Sequence, residues 1–99
     1  MQSARLGFLA FLITVNNTIA YFVYILQSDS NGKFYIGSTG DLEKRLAQHN
    51  AGYSKSTKAG VPWTLRRVEE YPTLVEACKR ERQIKKMKSR KWIESLLGE

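Results

Sequence analysis

The sequence predicts a protein of the α/β class in its loose sense, α+β, with a small antiparallel sheet flanked by helices. Two observations support this class. A continuously apolar segment rich in aromatic and β-branched residues precedes an Asn-Gly turn signal, which predicts a strand hairpin. Helix-capping residues then introduce segments with helical periodicity. The predicted order is strand, strand, helix, strand, helix, helix, and the length of 99 residues suits one domain with one small core.

The first hairpin consists of residues 21–27 and 33–37. The sequence YFVYILQ of the first segment is almost continuously apolar, so this strand should be central in the sheet and covered on both faces. Asn31-Gly32 predicts a two-residue turn between the strands, because both turn positions require positive φ.

Two tyrosines of this hairpin are predicted to share one face of the sheet. If Ser30 pairs with Lys33 across the turn, the two-residue period of the strands places Tyr24 and Tyr35 on the same side. Aromatic residues in strands usually belong to the core. Two hydroxyl groups on one face also need polar partners, which makes both tyrosines candidates for a functional site.

A helix is predicted from the cap residue Asp41 to about Asn50, and Gly52 ends it. Leu42 and Leu46 form its buried stripe, since residues four apart lie on one face of a helix. This helix should therefore pack its apolar side against the sheet.

Arg45 and His49 should lie together on the flank of this helix. The Arg45 guanidinium can grip a phosphate, or it can simply pair with Asp41 at the surface. His49, the only histidine of the chain, can transfer protons near neutral pH, although a single helix histidine is more often merely exposed. Each residue is therefore a candidate with an ordinary structural alternative.

The second half of the chain contains a strand and two helices. Residues 64–71 predict a third, less buried strand, which Pro72 ends. The sequence TLVE, residues 73–76, is a capping box that opens a long basic helix over residues 74–88. Ser89 separates this helix from a short last one.

Glu81 is the most informative residue of the long basic helix. Leu74, Ala77 and Cys78 start an apolar stripe, and Glu81 falls at its angular centre. An ionised carboxylate on a core-facing stripe is costly unless it is paired or binds a cation. Its partner is either Lys85, four residues later, or a hard metal ion such as Mg²⁺.

The chain carries a formal net charge of +7, and its cations are concentrated in residues 79–91. Such an excess favours a polyanion as partner, DNA first and RNA as an open second choice, although a basic run is often only a solvated helix face. The residues expected to contact nucleic acid are Lys58, Lys79, Arg82, Lys85, Lys86 and Lys88.

Cys78 is the only cysteine, which excludes an internal disulfide, and with one histidine beside it there is no zinc-type cluster. A reducing, cytoplasmic compartment is therefore expected.

The N-terminal residues differ from the rest of the chain. Residues 5–15 form an apolar run that is too short to span a bilayer comfortably. Three interpretations are open: a signal or anchor segment, an added helix, or a start site placed too far upstream. We therefore divide the chain into an apolar extension, residues 1–20, and a domain, residues 21–99, for which no membrane is expected.

The order of the candidate residues resembles the GIY-YIG nuclease superfamily. Tyr24 and Tyr35 stand eleven positions apart, Arg45 follows ten residues after Tyr35, His49 lies one turn further, and Glu81 is on the later basic helix. The small single-domain bacterial members, which resemble the N-terminal nuclease domain of the excision-repair incision subunit, look most similar.

The resemblance implies a sheet of three antiparallel strands and metal-dependent cleavage of DNA phosphodiesters, structure-selective and linked to repair or recombination. It implies that Glu81 holds Mg²⁺ or Mn²⁺ and that Arg45 steadies the scissile phosphate. It also implies that Tyr24 or Tyr35, together with His49, helps to deprotonate the attacking water.

Two features of the chain depart from the pattern of this superfamily. Phe22 stands where the first motif usually has glycine, and the late asparagine of many members is replaced in the neighbourhood of residues 92–94 by Trp-Ile-Glu. Two other functions are therefore kept beside the nuclease: a non-catalytic nucleic-acid-binding module, and a subunit that depends on a protein partner for substrate specificity.

Overall fold

The computed structural model describes residues 20–98. The predicted N-terminal extension therefore lies outside the described residues, except for Ala20, which is buried. The elements follow the predicted order: β1 (Tyr21–Ser28), β2 (Phe34–Thr39), α1 (Leu42–Asn50), β3 (Trp63–Tyr71), α2 (Leu74–Met87) and α3 (Arg90–Leu96). A short 3₁₀ turn, Lys58–Gly60, precedes β3. The α+β class is confirmed.

The sheet has three strands in the order β2-β1-β3, and both pairings are antiparallel. The central place of β1 agrees with its apolar sequence. Its side chains alternate between two buried clusters, with Phe22 and Leu26 on one face and Val23 and Ile25 on the other. The prediction that β1 is covered on both faces is confirmed.

The predicted two-residue turn of the first hairpin is wrong. The backbone N–H of Ser28 donates to the carbonyl of Lys33, so the loop consists of residues 29–32. Gly32 has a positive φ of 74°, but Asn31 does not. The Ser28 hydroxyl accepts hydrogen bonds from the backbone N–H groups of Ser30 and Asn31, which stabilises the wider loop.

The wider loop shifts the strand pairing by two residues, and an even shift keeps every side chain on its predicted face. Tyr24 pairs with Gly37 and Leu26 pairs with Tyr35. Tyr24 and Tyr35 therefore share one side of the sheet, as predicted. The strand also extends past its predicted end at Gly37, to Thr39.

Each helix begins at a capping side chain; the sequence predicts Asp41 and Thr73 as caps, and Ser89 only as the separator of the last two helices. Asp41, Thr73 and Ser89 accept hydrogen bonds from the backbone N–H three residues further along, at 3.1, 3.2 and 3.1 Å. These side chains satisfy N–H groups that have no partner within the helix. The long helix α2 ends at Met87 because Lys88 adopts a left-handed conformation with φ of 50°.

Helices cover both faces of the sheet. Leu42 of α1 packs in the cluster that contains Trp63 and Leu65, whereas α2 and α3 cover the opposite face. The predicted apolar stripe of α2 is partly wrong, because Leu74 is 49% exposed. The buried residues of α2 begin one turn later, with Ala77 followed by Ile84.

No helix within residues 20–98 is long and apolar enough to cross a membrane.

An ion-pair network joins β3 to α2. The carboxylate of Glu69 accepts hydrogen bonds from Arg80 at 2.7 and 3.2 Å, from Arg67 at 2.8 Å and from the Tyr71 hydroxyl at 2.8 Å. The Arg80 hydrogen bonds, followed by those of Arg67 and Tyr71, outweigh burial and lower the pKa of Glu69 from 4.5 to about 2.

Glu69→Gln is expected to lower the free energy of unfolding at pH 7 by about 2 kcal/mol, because it leaves two arginines without their carboxylate. The pKa of Glu69 is lower in the folded state, so its contribution is complete above pH 4.5 and is lost as pH falls through about 2. Denaturant unfolding at pH 7 and pH 3 measures both effects. Glu70→Gln, at the exposed next position, should change neither the free energy of unfolding at pH 7 nor its dependence on pH. Equal effects of the two variants would contradict the prediction.

Candidate active site

Three ring side chains meet on the face of the sheet that α1 covers. Tyr24 comes from β1, Tyr35 from β2 and His49 from the last turn of α1. The rings of Tyr35 and His49 have centroids 4.9 Å apart, and those of Tyr24 and Tyr35 are 6.3 Å apart. The structure therefore brings together these three predicted site residues.

His49 is fully buried, with 0% exposure, so the ordinary alternative of a merely exposed helix histidine is wrong. The loop after α1 explains the difference, because it brings Thr57 against the ring. His49 Nδ1 lies 2.8 Å from Thr57 Oγ1, and Nε2 lies 2.9 Å from Tyr24 Oη. Both ring nitrogens therefore have polar partners, which permits the burial.

The hydrogen bonds favour one tautomer of His49. The Thr57 hydroxyl donates to the carbonyl of Ser54 at 3.4 Å, so it accepts from His49 Nδ1–H. Nε2 then carries no proton and accepts a hydrogen bond from the Tyr24 hydroxyl. Tyr24 and His49 thus form a donor–acceptor pair inside the protein.

Burial shifts the pKa values of this pair in opposite directions. Burial, aided by the positive charge of Arg45, lowers the pKa of His49 from 6.5 to about 4. Burial raises the pKa of Tyr24 to about 12, although hydrogen bonding with Arg45 opposes this increase. At pH 7 both side chains are therefore neutral, with the proton on tyrosine.

Arg45 borders the two tyrosines. Its half-buried guanidinium interacts with the hydroxyl groups of Tyr24 and Tyr35, and its Nη1 donates to Gln48 Oε1 at 3.2 Å. Within the described part of the chain, Arg45 forms no ion pair with Asp41, because the Asp41 carboxylate caps the helix instead. Arg45 thus places a positive charge beside the tyrosine hydroxyls.

Gly37 makes room for Tyr24. A Cβ atom at Gly37 would lie 2.5 Å from Tyr24 Oη and 2.7 Å from Tyr24 Cζ. These distances are too short for any side chain, so glycine is required at this position by the close approach of the tyrosine ring.

Glu81 reaches the same region from the opposite layer. Ser38, the neighbour of Gly37, donates to Glu81 Oε1 at 2.5 Å, and the Lys85 ammonium lies 2.5 Å from Oε2. The ion pair that the sequence offered as the structural alternative is therefore formed. The charge of Glu81 still contributes to the raised pKa of Tyr24, which follows mainly from burial.

Within residues 20–98 no group of three or more acidic, histidine or cysteine side chains could hold a metal ion. Glu81 is the predicted ligand, and its carboxylate already attracts a cation, the Lys85 ammonium. Mg²⁺ is commonly bound through one or two carboxylates, with water and phosphate oxygens as its other ligands. The site fits such a loosely held ion and does not fit an all-protein metal centre.

A comparison with protein families matches residues 20–93 to the model of the GIY-YIG catalytic domain. This match spans both tyrosines, the arginine, the histidine and the glutamate. The chain belongs to the GIY-YIG family.

Similar GIY-YIG-type proteins include a UPF0213 protein of Halobacterium salinarum, which is 41% identical over 66 residues, covering 66% of this chain and 84% of that protein. The structure-specific endonuclease subunit slx1 of Schizosaccharomyces pombe is 43% identical over 66 residues, covering 60% of this chain but only 24% of that protein. The solution NMR structure of a UPF0213 protein of Bacillus halodurans has a TM-score of 0.53 and 31% identity, covering 81% of this chain and 84% of that one.

The six predicted nucleic-acid-binding residues of this GIY-YIG domain are all exposed, but they differ in position and in partners. Lys79, Arg82 and Lys86 recur at spacings of three and four residues, so they form one exposed face of α2. Lys58, on the 3₁₀ turn, and Lys88, after α2, are also exposed. Lys85 differs from all of them because it is paired with Glu81.

Sequence reasoning missed two residues of the GIY-YIG site. Ser38 could have been found, since the strand period places it on the face opposite Tyr35, towards the helix that carries Glu81. Thr57 carried no signal, because its contact with His49 depends on the path of an irregular loop.

Gly37→Ala is expected to destabilise the domain by about 2–3 kcal/mol, since the added methyl group must displace the Tyr24 ring. Gly40→Ala is the matched control, because its Cβ would meet Tyr21 at an ordinary 3.4 Å. Thermal or denaturant unfolding of both variants measures the difference. Equal stability of the two would show that Tyr24 does not need the space above Gly37.

The buried His49 predicts a loss of stability in mild acid. Its pKa is about 4 in the folded state and 6.5 when unfolded, so the unfolded chain binds the extra proton between these values. The free energy of unfolding should fall by about 2–3 kcal/mol from pH 6.5 to pH 4. His49→Gln should be less stable at pH 7 and lack this pH dependence; an unchanged slope would contradict a buried neutral histidine.

Proposed function

We propose that this GIY-YIG domain is an endonuclease that hydrolyses DNA phosphodiester bonds with Mg²⁺ or Mn²⁺ as cofactor. The observation that supports it most strongly is the hydrogen bond between Tyr24 and a neutral, buried His49, at 2.9 Å, beside Arg45 and Tyr35. Hydrolysis needs an acceptor for the proton of the attacking water and a positive charge for the phosphate. This pocket offers both.

Arg45 is assigned to the scissile phosphate. Its guanidinium is half-buried and adjacent to both tyrosine hydroxyls, so a phosphate that contacts Arg45 would also lie beside them. The planar fork of arginine can bind two phosphate oxygens at once. This contact would hold the phosphorus near the tyrosines and stabilise the negative charge that develops during attack.

The tyrosines and His49 are assigned to proton transfer. Tyr35 is half-buried and is the tyrosine that water and substrate can approach, whereas Tyr24 is only 2% exposed. Tyr24 can receive a proton on its oxygen while it passes its own proton to His49 Nε2. His49 is the final proton acceptor of this relay, and its pKa of about 4 makes the transfer costly at neutral pH, so a bound cation would be needed to lower the pKa of the attacking water.

Glu81 is assigned to the metal. A divalent ion there would supply positive charge to the phosphate oxygens and to the attacking water. Ser38 orients Glu81 by its hydrogen bond to Oε1. Because the described residues provide no further carboxylate cluster, water and the substrate phosphate would complete the coordination.

The exposed cations are assigned to the DNA backbone. Lys79, Arg82 and Lys86 would contact phosphates along one face of α2, and the exposed Lys58 and Lys88 would add further phosphate contacts. Such contacts give affinity without reading sequence. We therefore infer selectivity for DNA structure, a cytoplasmic role in repair or recombination, and a protein partner that supplies further specificity, in line with the subunit name of the slx1 relative.

The second candidate is a non-catalytic module that binds DNA or RNA. The ion pair between Glu81 and Lys85 favours it, because a carboxylate neutralised by lysine needs no metal. The two functions differ in one testable respect, since only the nuclease requires the charge of Glu81 for its activity.

A cleavage assay on branched, nicked, single-stranded and duplex DNA, with and without Mg²⁺, tests the nuclease. Glu81→Gln and Tyr35→Phe should each reduce single-turnover cleavage by orders of magnitude while DNA binding without metal is retained. Glu76→Gln and Tyr53→Phe are matched controls at exposed positions and should cleave like the wild type.

Undiminished cleavage by Glu81→Gln across a Mg²⁺ titration would show that Glu81 does not bind the metal. Absence of cleavage of every substrate by the wild type, with DNA binding intact, would instead support the non-catalytic module.

A further inference from the structure

Each oxygen of the Glu81 carboxylate has its own partner. Ser38 donates to Oε1 at 2.5 Å, and the Lys85 ammonium contacts Oε2 at 2.5 Å. The Glu81 side chain is 19% exposed, whereas that of Lys85 is 49% exposed. The carboxylate is thus largely enclosed, and the lysine approaches it from the solvent side.

The Lys85 ammonium contacts one of the two oxygen atoms through which Glu81 would bind a metal ion. A divalent ion such as Mg²⁺ binds carboxylate oxygen at about 2.0–2.1 Å, so a cation already in contact with that oxygen would repel the ion and weaken its binding. We propose that Lys85 is an internal competitor of the divalent metal, which binds Glu81 more tightly when this ammonium is displaced. This inference rests on the proposed assignment of Glu81 as the metal ligand.

The geometry gives Lys85 and Ser38 opposite effects on metal binding. Lys85 has a flexible stem and lies one helical turn from Glu81, so it can move into solvent. Ser38 is fixed in β2 and uses the other carboxylate oxygen, so it can keep its hydrogen bond when a metal binds. Ser38 therefore orients the ligand, while Lys85 neutralises it.

Mn²⁺ binding to the full chain without DNA, followed by calorimetry or by the loss of the free-ion paramagnetic resonance signal, tests the proposal. Lys85→Gln should bind Mn²⁺ about two- to fivefold more tightly than the wild type, the size expected for loss of a partly exposed ion pair. Lys85→Arg keeps the charge and should bind Mn²⁺ no more tightly than the wild type. Ser38→Ala should bind about tenfold more weakly, because the ligand loses its orientation.

Lys86→Gln is the matched control. It removes the same charge from the next residue, which faces solvent on a different side of α2, so Mn²⁺ affinity should stay near the wild-type value. Glu81→Gln gives the baseline for any binding elsewhere on the chain. Thermal melting of every variant establishes that the fold is retained.

Equal Mn²⁺ affinity of Lys85→Gln and Lys86→Gln would overturn the competition while leaving Glu81 as a metal ligand. Weaker binding by Lys85→Gln would also overturn it, because the lysine would then support the site. Mn²⁺ binding that does not differ between the wild type and Glu81→Gln would remove the metal assignment itself, and the competition with it.

Discussion

Burial of β1 between two layers of helices is the constraint on which the rest of this structure depends. Side chains of a strand alternate between faces, so one apolar strand supplies both clusters of the core. Tyr24 brings a polar group into the buried middle of this strand, and it is 2% exposed. Its hydroxyl needs a partner and its ring needs space, which His49 and Gly37 provide.

The Tyr24–His49 pair in the resulting pocket is polar but uncharged at neutral pH. Burial disfavours the ionised form of each group, so it raises the pKa of Tyr24 and lowers that of His49. Thr57 and Tyr24 saturate the imidazole nitrogens, which keeps the ring in one orientation. Stability and proposed chemistry therefore rest on the same hydrogen bonds, and a substitution in this pocket affects both.

Two carboxylates, Glu69 of β3 and Glu81 of α2, differ in the chemistry of their partners. The planar fork of Arg80 binds both oxygens of Glu69, and Arg67 donates a further hydrogen bond to Oε2. Glu81 is held by the single ammonium of Lys85, on a flexible and half-exposed stem, and by one serine hydroxyl. Only the second arrangement can exchange its cation without breaking the packing of α2 on the sheet.

The sequence by itself determined the element order, two of the three helix caps, the shared face of Tyr24 and Tyr35, and the unusual place of Glu81, because these depend on spacing within one strand or helix. Even the wrong turn length left the faces correct, since the register shifted by an even number of residues. Only the tertiary structure decided the burial of His49 and the role of Gly37, which depend on contacts with Thr57 and Tyr24 that no local pattern encodes.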